Sequence, residues 1–220
     1  MQANYVQRLR LTFGKMGPAR YIGHLDLART LERAFNRAKI PIAYTQGFNR
    51  RPRMAFAAPL PLGFSSACEL ADIWLAEKME PKTALEQMMQ KMAPGIEINR
   101  IDDVLLSAPS LQAVTQAATY SVSLLDPVSI FDLQQRISRV MSAQDLLLQR
   151  KGGKNKGKEY DLRPLIVDLN ISESADENDL ILMKLLLMVG KTGRPDEVLA
   201  AMELDPNAAR ICRTKIILDQ

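Results

Sequence analysis

Residues 5–13 read YVQRLRLTF and residues 24–39 read HLDLARTLERAFNRAK, and the change of rhythm between them decides the fold. In the first stretch apolar and polar side chains alternate through Leu9, Leu11 and Phe13, the period of a strand with one face buried. In the second, Leu27, Leu31, Ala34, Phe35 and Ala38 fall on one stripe of a helical wheel, the face that docks on a sheet. A strand followed directly by an amphipathic helix is the opening of an α+β unit.

Outward from this pair the pattern continues. Ile42–Tyr44 and Arg53–Leu60 are short strand candidates, and Ala67–Leu75 alternates again. Pro81–Met92 has helical spacing with proline in the first turn, and Ile96–Ile101 closes as a strand. The order is β-α-β-β-α-β, the ferredoxin-like sequence of elements. After a break at Ser107–Ser110 the order recurs. Ala118–Leu125 is a strand and Ser129–Met141 a helix, announced by Asp126 and Pro127. Gln144–Gln149 and Leu162–Asn170 are strand candidates joined by a basic loop. Leu180–Val189 is a strand, Pro195–Met202 a helix and Ile211–Leu218 a last strand. The expectation is an α+β protein of tandem ferredoxin-like repeats, antiparallel sheets with helices on one face, divided into residues 1–106 and 107–220.

Composition narrows the functional classes. An apolar fraction of 47% is that of a chain with a real core. Cys68 and Cys212 belong to no CxxC or Cys/His cluster, which points to reduced thiols rather than a disulfide framework, a zinc site or an iron–sulfur site. The opening MQANYVQRLR has no apolar run before a cleavage site, and the most apolar segment, Leu180 to Val189, is too short for a bilayer and contains Lys184. The chain is expected to be soluble and cytoplasmic, without a membrane partner. Charge is distributed unevenly. Residues 1–60 hold eleven Lys/Arg against Asp26 and Glu32, a balance of +9, and the total of +4 leaves −5 for the remainder. Nine of the eleven are arginine, whose fork suits phosphates and whose plane stacks on bases. The asymmetry suggests a basic face for a polyanion.

Three segments carry candidate chemistry. On the helix, Arg29, Arg33 and Arg37 recur every four residues roughly opposite the apolar stripe, a plausible phosphate track or else a solvated face partly neutralised by Asp26 and Glu32. Residues 46–53, QGFNRRPR, join turn-formers Gly47 and Asn49 to Pro52, which stiffens the segment. Arg50, Arg51 and Arg53 with Phe48 and Tyr44 combine charge with stacking surface, a mixture that suits unstacked bases better than a duplex. Residues 150–158, RKGGKNKGK, lack an apolar anchor and read as a flexible hairpin or as a flap of point charges. That loop lacks the ending of a P-loop, and GKTG at 190–193 lacks the first glycine at the required spacing. The chain's single histidine, His24, lies close to the apolar stripe. It reads as a structural residue of the helix start, with a general base as the alternative; acid–base catalysis needs a partner of opposite protonation role, and no second histidine supplies it. No HExxH, GxSxG, GxGxxG or metal-ligand cluster is present, so no cofactor or metal is expected in this chain.

The span RLRLTFGKMGPARYIGHLDLARTLERAFNRAKIPIAYTQGFNRRPRMAFAAPLPLGFSSACELADIWL resembles the start of the uncharacterised bacterial radical SAM-linked proteins. The matching residues include Phe13, Arg20 to Leu27, Arg29, Phe35 to Ala38, Tyr44 to Asn49, Pro52, Arg53, Pro59, Leu60, Gly63 and Glu69. The resemblance implies a radical S-adenosylmethionine enzyme as partner, encoded beside the chain or fused to it. The CxxxCxxC of the radical enzyme itself is absent. Where that family usually has proline and histidine, this chain has Arg50 and Arg51, a departure that weakens acid–base catalysis and leaves anion binding intact. The tandem order with a histidine at the first helix also looks like the repeat-RNA-processing endonucleases of CRISPR systems, which cut RNA without a metal. Their C-terminal glycine-rich loop is not matched, so this is an analogy of fold. Together these readings lead to a non-catalytic RNA-binding module, for tRNA or another structured RNA, that serves a radical SAM modification enzyme. A metal-independent ribonuclease using His24, and an adaptor docking on the radical enzyme, are the alternatives.

Overall fold

Leu9, Leu11 and Phe13 are fully buried, and they lie on β1 (Gln7–Lys15). The computed structural model describes residues 4–149, 157–172 and 180–219. It divides the chain into two units, Met1–Thr115 with Leu218–Gln220, and Gln116–Ile217.

In the first unit β1 pairs antiparallel with β3 (Ser65–Leu75) on one side and β4 (Ile96–Val104) on the other, and β2 (Met54–Phe56) pairs antiparallel with β3. The strand order is therefore β4-β1-β3-β2, the ferredoxin-like arrangement. Its core joins Leu9, Leu11 and Phe13 to Ala71, Ile73 and Leu75 of β3 and to Ile96, Ile98 and Ile101 of β4. Against these sit Leu27, Leu31 and Phe35 of α1 (His24–Arg37) and Ala84 and Met88 of α2 (Pro81–Met89). Each of the leucine, isoleucine, phenylalanine and methionine side chains among them stabilises the unit by about 1.5–3 kcal/mol through loss of water contact, the alanines by less.

Proline and glycine set the boundaries that differ from expectation. The strand expected over Arg53–Leu60 shrinks to Met54–Phe56, because Pro59 and Pro61 donate no ladder hydrogen bonds. The second helix ends three residues before the expected Met92, ahead of Pro94 and Gly95. Gly95 has φ +84°, and a Cβ there would lie 2.5 Å from the Met16 carbonyl oxygen, so no other residue allows that approach. The Ser107–Ser110 break leads into a single turn, α3 (Leu111–Val114), where the Ser110 hydroxyl accepts from the Ala113 amide.

The second unit repeats the plan. β5 (Thr115–Leu124) lies between β9 (Leu180–Met188) and β11 (Ala209–Leu218), and β8 (Ile166–Ile171) pairs with β9. By position within the unit this is again the order four, one, three, two. The Thr119 and Thr214 hydroxyls meet at 2.8 Å between β5 and β11. α4 (Ile130–Ser142) and α5 (Pro195–Ala201) supply buried Leu133, Val140, Val198 and Leu199. The fold is α+β with tandem ferredoxin-like units. One strand was misplaced by the sequence reading: Leu147–Gln149 (β6) pairs with Glu159–Asp161 (β7) in a separate ribbon, and only Ile166–Ile171 enters the sheet. Asp161 fixes the base of that ribbon by accepting from the Leu146 and Arg163 amides. A short β10 (Lys191–Thr192) folds back on the end of β9. Residues 150–156, most of the basic loop of the sequence reading, lie outside the described residues.

Candidate nucleic-acid interface

α1 owes its orientation to its apolar stripe. Leu27, Leu31, Ala34 and Phe35 are buried, and Ala38 follows at the C-cap, so the opposite side faces water. A step of four residues advances a little more than one turn, so Leu25, Arg29 and Arg33 form one slowly drifting row, with Asn36 continuing it. Arg29 and Arg33 are exposed. Arg29 meets Asp26 at 3.3 Å in a pair whose side chains are 69% and 63% exposed, worth a few tenths of a kcal/mol at most at this exposure. Arg33 has no ion-pair or hydrogen-bond partner among the described residues. Arg37 has drifted further round and donates to the Lys91 carbonyl at 2.8 Å, which ties it to the segment after α2.

The arginine loop is built as a small hairpin. Tyr44 bridges Pro52, the Thr45 amide donates to the Arg51 carbonyl, the Arg51 amide donates to the Thr45 hydroxyl at 3.0 Å, and the Arg53 amide donates to the Ala43 carbonyl. Gly47, with φ +137°, turns the tip. Gln46 to Arg51 are all exposed, and Phe48 projects fully, at 107% of its reference exposure. Half-buried Tyr44 donates its hydroxyl to the Asn36 side-chain oxygen at 3.1 Å. That bond joins the base of the loop to the row on α1 that carries Arg29 and Arg33. The structure thus ties Tyr44 to the helix row, while Phe48, Arg50 and Arg51 stand exposed at the far end of the same loop.

Arg53 is drawn inward instead. Its guanidinium carbon lies 4.7 Å over the Tyr5 ring, and its buried Nε has no hydrogen-bond partner among the described residues. Tyr5 in turn meets Trp74 edge-on, and Arg8 stacks on Trp74 at 5.1 Å. Arg8 and Arg10 both donate to Asp72, which is fully buried; Arg8 also caps the Ala108 and Pro109 carbonyls at 2.7 and 2.9 Å. Arg8 and Lys15 are themselves 2% and 1% exposed, so part of the basic segment's charge is internal. Sequence reasoning missed this cluster. It also missed the Arg20–Tyr21 pair, in which the guanidinium carbon lies 4.6 Å over the ring and Nη2 donates to the hydroxyl.

His24 is half-buried at the first turn of α1, edge-on to Phe56 with ring centres 4.9 Å apart. No disulfide joins Cys68 and Cys212. Among the described residues, no group of three or more His, Cys, Asp or Glu is placed to hold a metal, and no helix is long and apolar enough to cross a membrane. A cavity of about 460 Å³ opens beside β4 and the end of α2, lined by Met16, Met89, Met92 and Pro94 among others. It contains none of the arginines above.

One family model matches residues 8–196, with the description "Uncharacterized protein conserved in bacteria (DUF2344)". No curated protein matches the chain. Among solved structures, a Cbf5–Nop10–Gar1 complex contains a chain similar in fold, with TM-score 0.52 and 10% identity over 96% of this chain. This chain spans half the length of that one, at 50% coverage. A glycine cleavage system transcriptional repressor (TM-score 0.25, 10% identity, covering 97% and 98% of the two chains) and the first two RRM domains of the yeast poly(U)-binding protein Pub1 (TM-score 0.21, 11% identity, covering 93% and 98%) lie further off. At 10% identity the likeness to the chain of the Cbf5–Nop10–Gar1 complex concerns fold alone.

Proposed function

The chain belongs to that family of uncharacterized proteins conserved in bacteria, which assigns no chemistry, and on that premise we propose an RNA-binding accessory module rather than a catalyst. The observation that carries it is the Tyr44–Asn36 bond, which ties the base of a loop bearing two exposed arginines and a fully exposed phenylalanine to the helix row that bears Arg29 and Arg33. In this reading the two form one surface, on which Arg29, Arg33, Arg50 and Arg51 hold phosphates and Phe48 stacks on a base. Arg37 and Arg53 position the surface from its margins, and His24 anchors the helix through Phe56. The RNA is tRNA or another structured RNA with accessible unpaired bases. The resemblance of residues 8–75 to radical SAM-linked proteins supplies the proposed partner, a radical SAM modification enzyme to which the module presents its substrate.

Salt dependence tests the reading. Four phosphate contacts to an unpaired strand give a slope of log affinity on log salt of about −3, since each contributes about −0.7. Between 50 and 200 mM salt that is a loss of about fiftyfold. Filter binding with total cellular RNA checks it, and the double variant Arg50→Gln/Arg51→Gln is expected to halve the slope. Retention that ignores salt, or a slope unmoved by the double variant, overturns the assignment. Co-purification of a protein partner that survives nuclease while RNA retention is absent favours the adaptor.

A further inference from the structure

The 3-10 turn Gly17–Tyr21, which precedes α1, carries a second aromatic–cation pair that the arginine surface does not use. Tyr21 is 62% exposed, yet its ring is held in place: Arg20 lies 4.6 Å over it and donates to its hydroxyl. The backbone beneath is held as well, because the Arg20 carbonyl accepts from the Lys15 ammonium at 3.3 Å and from the Gly63 amide at 2.9 Å. Leu62, beside Gly63, and Leu25, on the first turn of α1, are 64% and 71% exposed. Leu25 heads the row that continues through Arg29 and Arg33. A tyrosine at such exposure adds little to the core, and a preset ring with a guanidinium on it loses little freedom when a flat ligand arrives.

We propose that Arg20 and Tyr21 form a second base-stacking station, so that the ligand is an unpaired RNA strand lying along α1 between Tyr21 and Phe48. The proposal rests on the RNA-binding reading above. The occupant follows from continuity and charge: Tyr21 precedes the first turn of α1, Phe48 lies on the loop tied to its last turn through Tyr44 and Asn36, and the exposed row between carries Arg29 and Arg33, cations suited to phosphates. α1 has 14 residues, a span of about 21 Å at about 1.5 Å per residue. A stacked strand advancing about 3.4 Å per nucleotide covers the length of α1 in about six nucleotides. A strand of twelve engages both, and one of three engages only one.

The test titrates the full chain with fluorescent oligouridylates of about twelve and about three nucleotides at low salt. Loss of one stacked base weakens binding by about five- to 150-fold. Tyr21→Ala is expected to show that loss for the long strand and to leave the short one within about twofold, since Phe48 still receives it. Tyr21→Phe keeps the ring and the affinity; Tyr21→Leu, which keeps apolar volume without a π face, behaves as Tyr21→Ala and guards against misfolding as the cause. Unchanged long-strand affinity in Tyr21→Ala, with a loss in Phe48→Ala, overturns the second station and leaves the RNA reading intact. Equal losses for both lengths overturn the two-station arrangement. If neither strand binds the wild-type chain while total cellular RNA is retained in a salt-dependent way, the second station falls and the RNA reading stands; if cellular RNA is not retained either, both fall.

Discussion

Asp72 is a residue whose loss the first unit tolerates poorly. It is fully buried and receives Arg8 and Arg10, and Arg8 is itself buried while spanning to the Ala108 and Pro109 carbonyls. Removing the carboxylate leaves two guanidinium groups with little water to replace it, which costs about 3–5 kcal/mol for a buried pair broken on one side. Asp72→Ala is therefore expected to lower the urea midpoint of unfolding sharply, whereas Asp102→Ala, which removes an exposed partner of Arg100, lies within about 1 kcal/mol of wild type. Equal midpoints for the two variants contradict the cluster. The signal was in the alternation: Arg8 and Arg10 occupy the face of β1 opposite Leu9 and Leu11, and Asp72 the same face of β3. What a single sequence does not carry is the register that sets Arg10 against Asp72, so a count of charges does not tell Arg8 and Arg10 from the exposed arginines.

At the scale of elements, period decided what was legible. β1, α1, β3, β9 and β11 are long enough to repeat their pattern, and each stands where the alternation or the apolar stripe places it. β6 and β7 are three residues each; no period fits in three residues, and their pairing depends on Asp161 accepting backbone amides from both sides. The candidate interface was legible in part for the same reason. The helix row follows from spacing, but the Tyr44–Asn36 bond that brings the loop to it is a tertiary contact. The end of α1 shows a local cost. Lys39 sits at φ +55°, the left-handed position past the helix that favours glycine, while the Ile40 amide donates back to the Phe35 carbonyl at 3.0 Å. Lys39→Gly relieves the Cβ strain, partly offset by the freedom glycine adds to the unfolded chain. The expected gain is about 0.5–1 kcal/mol, read as a higher denaturation midpoint with unchanged RNA affinity. A lower midpoint counts against this account of the helix end.

For the whole molecule the question is where its charge acts. A balance of +9 over residues 1–60 in a chain of +4 keeps repulsive cations close together, and with Arg8 and Lys15 taken inside and half-buried Arg10 paired to Asp72, the exposed remainder concentrates on α1 and its flanking loops. Unpaired like charges disfavour the folded state slightly and attract a polyanion strongly. A ligand that binds only the folded chain stabilises it by mass action. With an unstructured RNA strand at a hundred times its dissociation constant in 50 mM salt, that is about 2.7 kcal/mol. At 200 mM the roughly fiftyfold weaker affinity leaves the same RNA at about twice the constant, worth about 0.6 kcal/mol. For a chain of 220 residues a change of 1 kcal/mol moves the melting temperature by about 2–4 °C, so RNA is expected to raise it by about 5–10 °C at low salt and by about 1–3 °C at the higher. The Arg50→Gln/Arg51→Gln chain separates this from any general effect of salt on the fold, because its RNA-dependent shift begins smaller and declines less steeply. A shift of equal size at both salt concentrations, or one shared by the double variant, means that the stabilising contact lies elsewhere on the molecule.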